Sequence, residues 1–294
     1  MDRKPAVDGG SDPYAPDIRS LVELADCTVL PGRTKASFGD IGERFDELFE
    51  DVREIERLEA LSLRGVLGEA GVRSVLDCAC GTGIQAFGLA ASGYKVAASD
   101  LSTKLVRLVA AEARRRGLSM EVRRSDFRSL RAWEDRQFDA VVCCGNSLPL
   151  LASTTEIKRA LRAIKRVLRA GGVAVVSNRD YTAARAAGET ILPRRLIEHD
   201  GRPEWVFDLR LFGSERTRVV NCFLGPHDGH WRLRTFVKSY LHLPAVAMAM
   251  LLEEAGFIEV KLLDMMALHP YDGGEWYIAT FRKRTDEQAN DDRH

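Results

Sequence analysis

The chain has 294 residues, 43 basic and 43 acidic, so it carries no net charge, and its 45% hydrophobic content is ordinary for a globular protein. That balance argues against a nucleic-acid or polybasic membrane partner, because phosphate binding shows as a basic excess, and no apolar run approaches the roughly eighteen residues of a bilayer span. The opening MDRKPAVDGGSDPYAPD lacks the apolar core of a signal peptide, which predicts a cytoplasmic protein with a disordered lead-in over 1–17.

Residues 18–70 read as helical. Phe45, Leu48, Phe49, Val52, Ile55, Leu58, Leu61 and Val66 follow helical spacing with charges between them. Such a segment is either a helix packed on a sheet or a lid over a bound ligand.

From residue 71 to 189 short apolar runs alternate with helical patterns, which predicts a parallel sheet with helices on both faces. The expected strands are 74–77, 94–99, 120–124, 138–143 and 173–177, the last following a turn at Gly171-Gly172. Helices are expected over 84–92, 102–116 and 154–169. The first strand ends in Asp77, passes Ala79, Gly81 and Gly83, and opens into helix; the second ends in Asp100. This is the βαβ pattern of a nucleotide-binding half, in which glycines let the backbone approach a ligand at a helix N-terminus and an acid takes both ribose hydroxyls. Two carboxylates flanking the loop repel phosphate and suit a cationic nucleoside, of which S-adenosylmethionine fits best. Gly81-Thr82-Gly83-Ile84-Gln85-Ala86 also satisfies the dinucleotide fingerprint G-x-G-x-x-A, so a nicotinamide or flavin enzyme is the rival, with a plain α/β domain behind it.

After residue 190 the texture changes. Trp205 to Leu209, Arg218 to Phe223 and Trp231 to Phe236 are strand-like and lack intervening helices, so 190–240 reads as an antiparallel insertion after strand five that covers the acceptor side. Residues 241–283 return to the core with a helix over 244–255 and two strands, 258–263 and 275–282, that form a C-terminal hairpin. The polar 284–294 is expected to be a flexible tail.

The cysteines at 78, 80, 143 and 144 lie at strand ends without zinc spacing, so they read as buried apolar filler and no metal is expected. In Cys144-Gly145-Asn146-Ser147, Asn146 either caps a turn or accepts from a substrate amine. In Ser177-Asn178-Arg179-Asp180-Tyr181, Arg179 either pairs with Asp180 at the surface or offers its planar fork to a substrate carboxylate.

The D-x-x-x-G-x-G pattern with Asp100 resembles motif I of class I methyltransferases. Together VLDCACGTG, CCGNS, NRDY, FVKSYLHLPAVAMAMLLEEAGF and YIATFRKRTD resemble glycine N-methyltransferases and glycine/sarcosine methyltransferases, over about residues 45–286. The resemblance implies a Rossmann-like class I methyltransferase sheet using S-adenosylmethionine and releasing S-adenosylhomocysteine. Cofactor contacts would come from Asp77, Ala79, Gly81, Gly83, Asp100, Leu101, Asp126, Phe127 and Cys144. Asn146 would hold the acceptor amine, Arg179 its carboxylate, and Tyr240 would match a substrate-side tyrosine. The sequence departs from the family pattern in Phe127 where tryptophan is usual, in Leu150 for a histidine, in Cys222 for a tyrosine, and in Ile55 for a basic residue; if the N-terminal helix is a lid, the flanking Arg53 or Arg57 would hold the cofactor carboxylate and Phe45 or Phe49 would lie near the adenosine. The expected function is methyl transfer to the amine of a small amino-acid-like acceptor, with a homo-oligomer left open. The rivals are a small-molecule O-methyltransferase using His242 or Tyr240 as base, and a non-catalytic cofactor-binding protein.

Overall fold

The computed structural model describes residues 44–227 and 230–291. The lead-in 1–17 and the first part of the expected lid, 18–43, lie outside them.

A single 3-10 turn, Phe45–Leu48, precedes α1, Val52–Glu69. The Asp51 carboxylate caps α1 by accepting the backbone N–H groups of Arg53 and Glu54, as an N-terminal donor pair requires. Leu63 and Leu67 of α1 are buried in the same core as Ala86 and Leu89 of α2, Ile84–Ala91. The two helices meet at Gly88, where a Cβ would stand 2.3 Å from the Glu56 carbonyl oxygen. No larger residue fits without parting them.

The core strands are β1 Ser74–Asp77, β2 Lys95–Asp100, β3 Glu121–Arg124, β4 Phe138–Cys143 and β5 Leu168–Arg179. They are linked through α2, α3 Thr103–Arg115 and α4 Thr154–Val167. The C-terminal pair is β10 Phe257–Leu263 and β11 Trp276–Lys283, preceded by α6 Ala245–Glu254. The sheet runs β10-β11-β5-β4-β1-β2-β3, with β11 antiparallel to both neighbours. Successive strand residues face opposite layers: Leu76, Val141 and Val176 pack on one side, and Val75, Val142 and Val175 on the other. The chain reverses its winding between β1 and β4, so their C-terminal ends open the crevice where ligands of such sheets bind.

Between β5 and α6 lie the short helix α5, Thr182–Ala186, and a four-stranded antiparallel sheet. Its strands are β6 Ile191–His199, β7 Arg202–Phe212, β8 Arg216–His227 and β9 His230–Leu241. Along β7 the usual alternation is inverted: Glu204, Asp208 and Arg210 are buried while Trp205, Phe207 and Leu209 are half-buried. Charge turned inward is expensive unless paired. Its presence marks the inner face as a wall of a polar chamber rather than an ordinary core.

The fold is the expected one, with four local differences. β6 was not anticipated. β5 starts at Leu168 and carries Gly171-Gly172 within it, across a register shift opposite β4, rather than beginning after them. α5 is an additional helix. Residues 286–291 form a short helix, α7, where a flexible tail was expected.

Candidate active site

Five strand ends and two helices converge on the crevice. Asp77, at the end of β1, is 1% exposed; its Oδ1 takes the Ala79 N–H at 3.4 Å and its Oδ2 has no hydrogen-bond partner. Burial pushes its carboxyl up to about 7, and the nearby Asp100 adds to the rise. Asp100 accepts from the Gly81 N–H at 3.1 Å and the Ser102 N–H at 2.8 Å, so it pins the glycine loop to the end of β2. Gly83 caps α2 at φ 98°, where a Cβ would lie 2.5 Å from the Phe87 ring. Both the backbone angle and the ring demand glycine.

Two cavities meet at Ala79. The larger, about 830 Å³, runs past Asp100, Leu101, Asp126 and Phe127, and is walled opposite by Arg216, Lys238 and Ser239 of the inserted sheet. Leu101 is 53% exposed, an apolar surface awaiting cover at the mouth. Asp126 is held below the usual carboxylate range by Arg128, whose Nη2 lies 2.7 Å away. The smaller cavity, about 240 Å³, is lined by Phe45, Phe49, Glu59, Cys144, Arg179 and Arg194 among others. Burial raises the Glu59 carboxyl, which accepts from Gln85 at 3.3 Å.

The expected residues distribute unevenly over this site. Ala79, Asp100, Leu101, Asp126 and Phe127 line the large cavity; Ala79, Gly81, Cys144 and Arg179 line the small one. Asp77 and Gly83 act from beneath the loop. Asn146 is buried in a left-handed conformation at φ 66°, its amide oxygen accepting the Arg179 N–H at 3.0 Å and its Nδ2 reaching the Tyr181 hydroxyl at 3.4 Å. Rather than capping a turn, it locks the loop after β4 to the end of β5. Tyr240 is buried beside Tyr181, ring centroids 6.1 Å apart, and lines neither cavity.

Arg179 is not paired with Asp180. Its Nη1 donates to Glu275 at 3.0 Å and its guanidinium lies 4.7 Å from the Trp276 ring centroid. The same Glu275 oxygen takes Nη2 of the buried Arg210 at 2.5 Å. Nor do Arg53 and Arg57 reach the crevice: Arg53 bonds Glu112 and Arg57 bonds Glu54, on the solvent side of α1. Ile55 and Glu59, one helical turn apart, are the α1 residues that line the small cavity. Cys222 pairs in register with Phe207 and Thr235, on the side of the inserted sheet away from Asp208 and Asn221. Sequence reading missed Glu59, Arg194, Lys238 and Trp276. Only Glu59 had a signal, its spacing of four from Ile55.

Residues 75–172, β1 to the glycine pair of β5, match the family model described as a methyltransferase domain. This stretch of the core is similar to a methyltransferase domain. The chain is 30% identical over 152 residues to a glycine/sarcosine N-methyltransferase of Parasynechococcus marenigrum, covering 52% of this chain and 54% of that one. It is 35% identical over 116 residues to a cypemycin N-terminal methyltransferase of a Streptomyces species, covering 40% and 46%. It thus spans about half the length of the curated relatives it matches. A solved S-adenosylmethionine-dependent methyltransferase of Clostridium acetobutylicum shares the fold at a TM-score of 0.67 and 16% identity, over 84% of this chain and 98% of that one. The matched region ends inside β5, and the inserted sheet that walls the crevice lies beyond it.

Among the described residues no cluster of histidine, cysteine and acid could hold a metal ion, and no helix is long and apolar enough to cross a membrane.

Proposed function

We propose that the chain is an S-adenosylmethionine-dependent N-methyltransferase whose acceptor is a small amine that carries a carboxylate. The placing of groups around Ala79 carries this reading: Asp100, which pins the glycine loop, borders the large cavity, while Glu59, Arg179 and Arg194 line the small one and Asp77 lies buried beneath the loop. A cofactor with a ribose at one end and a zwitterionic amino acid at the other matches that placing. The unpartnered Oδ2 of Asp77 supplies the fit on the amino side, since a buried acceptor without a donor is costly until an ammonium arrives. The bound cofactor supplies an electrophilic methyl group.

The chain's own residues then have three tasks. Asp100 orients the ribose end while holding the Gly81 loop. Asn146, 3% exposed and lining neither cavity, ties the loop after β4 to the end of β5 through Arg179 and Tyr181 and so positions Arg179. Arg179 holds the acceptor carboxylate through the guanidinium nitrogens that Glu275 does not take. Rate comes from positioning and water exclusion, as an in-line displacement needs, and the acceptor amine loses its proton to solvent.

Nitrogen is favoured over oxygen because the candidate bases are disarmed. Burial pushes the hydroxyls of Tyr240 and Tyr181 up, the latter to about 12, so neither ionises near neutrality. His242 has both ring nitrogens engaged, by Thr217 at 2.8 Å and the Ser214 carbonyl at 3.2 Å, and lines neither cavity. The Parasynechococcus relative is named an N-methyltransferase. Mass spectrometry of methyl products from a panel of amines, amino acids and phenols tests the reading. Products confined to phenols, or none with any acceptor, would overturn it.

A further inference from the structure

An amino-acid end with an ammonium near Asp77 and Glu59 leaves a carboxylate to be met. Burying it beside two acids without a cation would be unfavourable. Among the described residues, α1 does not supply that cation: Ile55 is the inward residue, and Arg53 and Arg57 are 51% and 62% exposed in ion pairs of their own. Among the described residues, the cations that line the small cavity are Arg179 and Arg194. Arg179 is clasped by Glu275 and sits beside Tyr181 on the acceptor side.

Arg194 comes from β6 of the inserted sheet. Its Nε and Nη2 donate to Asp208 Oδ2 at 3.0 and 2.6 Å, which leaves Nη1 outside the pair. Asp208 is 1% exposed and its other oxygen takes the Asn221 amide at 2.6 Å. A relay of Asn221, Asp208 and Arg194 therefore fixes the guanidinium before any ligand arrives, and with little rotamer entropy left to lose. The Arg194 side chain keeps 24% of its surface open.

Resting on the cofactor reading above, we propose that Arg194 binds the carboxylate of the cofactor's amino-acid end. The inserted sheet is then part of the cofactor site as well as the acceptor cover, and the cation absent at Ile55 is supplied from the opposite side of the cavity.

Calorimetry without acceptor, using S-adenosylmethionine, S-adenosylhomocysteine and 5′-methylthioadenosine, tests this. The last keeps the nucleoside but lacks the amino and carboxylate groups. Arg194→Met is expected to weaken the first two by about 10- to 100-fold, the scale of a charge-assisted hydrogen bond, and to leave methylthioadenosine within twofold. Arg194→Lys restores part of the loss, since an ammonium keeps the charge without the fork. Unchanged affinity for S-adenosylhomocysteine in Arg194→Met overturns the proposal. Equal losses for all three ligands overturn it too, because they report a collapsed cavity rather than carboxylate recognition. If the unsubstituted protein binds none of the three, the cofactor reading itself fails and this inference falls with it.

Discussion

Asp77 holds a carboxyl that titrates at about 7 where an ordinary aspartate titrates near 3.8, burial being the main cause. The unfolded chain therefore loses this proton first. Between about pH 4 and pH 7 the native state binds the extra proton, so this residue's contribution to stability falls as pH rises through that window and is level above it. Asp77→Asn, isosteric and neutral, is expected to melt at a higher temperature than the parent at pH 8, with the gap closing towards pH 5. The same substitution should weaken S-adenosylmethionine binding by at least tenfold, because the ammonium loses its partner. Melting curves at the two pH values and calorimetry check both halves; an equal gap at both pH values refutes the titration. Arg179→Ala should lower kcat/KM for a carboxylate acceptor by about 1–3 kcal/mol equivalent while leaving cofactor affinity within twofold, and Arg179→Lys should recover part. The range is modest because Glu275, 36% exposed, already shares the guanidinium with solvent nearby. At this scale the sequence was readable where chemistry is tied to a local motif: Asp77, Gly81 and Asp100 are consecutive features of one βαβ unit. Arg194 and Glu275 were not, because Arg194 reaches the small cavity and Glu275 reaches Arg179 from a distant strand or loop, and neither carries a local pattern.

The helix pair α1–α2 is the element on which the small cavity depends. Glu59 rides on α1, and α1 approaches α2 only because Gly88 has no side chain. Gly88→Val is expected to push α1 outward, lower the melting temperature by several degrees and weaken cofactor binding, whereas Gly65→Ala, on the exposed side of α1 with open space around its Cβ, should do neither. Thermal melts paired with calorimetry decide; a destabilised variant with intact affinity would show that α1 is not a wall of the site. Most elements were legible because the α/β alternation of 71–189 repeats the same period change again and again. β6 was hidden because ILPRRLIEH places a proline and two arginines mid-strand, and its register shifts against β7 between Pro193 and Arg195. Gly171-Gly172 resembled a turn, but the strand bulges through it, with a Cβ at Gly172 held off by the Asp139 carbonyl oxygen at 3.0 Å.

Taken whole, the molecule is a parallel sheet that presents a crevice and an antiparallel sheet that roofs it. The first was legible in the sequence as a class of fold; how the second leans over the first was not, since no periodicity encodes the relation between two sheets. That relation has a consequence for the order of events in turnover. The roof contributes Lys238 and Ser239 to the large cavity and Arg194 to the small one, so one rigid piece bounds both compartments. A cofactor extended across Ala79 becomes the floor on which the acceptor rests, and the acceptor has no complete seat until that floor is laid. On the proposed function, turnover is expected to be compulsory-order, with the cofactor first to enter and its demethylated form last to leave. Steady-state product inhibition reads this directly: S-adenosylhomocysteine should compete with S-adenosylmethionine and inhibit noncompetitively against the acceptor, while the methylated product should compete with neither. A random-order pattern would mean that the roof opens one compartment without the other. If the proposed function and this order hold, accumulated S-adenosylhomocysteine is expected to slow the reaction even when the acceptor is plentiful, because it occupies the floor that the next cofactor needs.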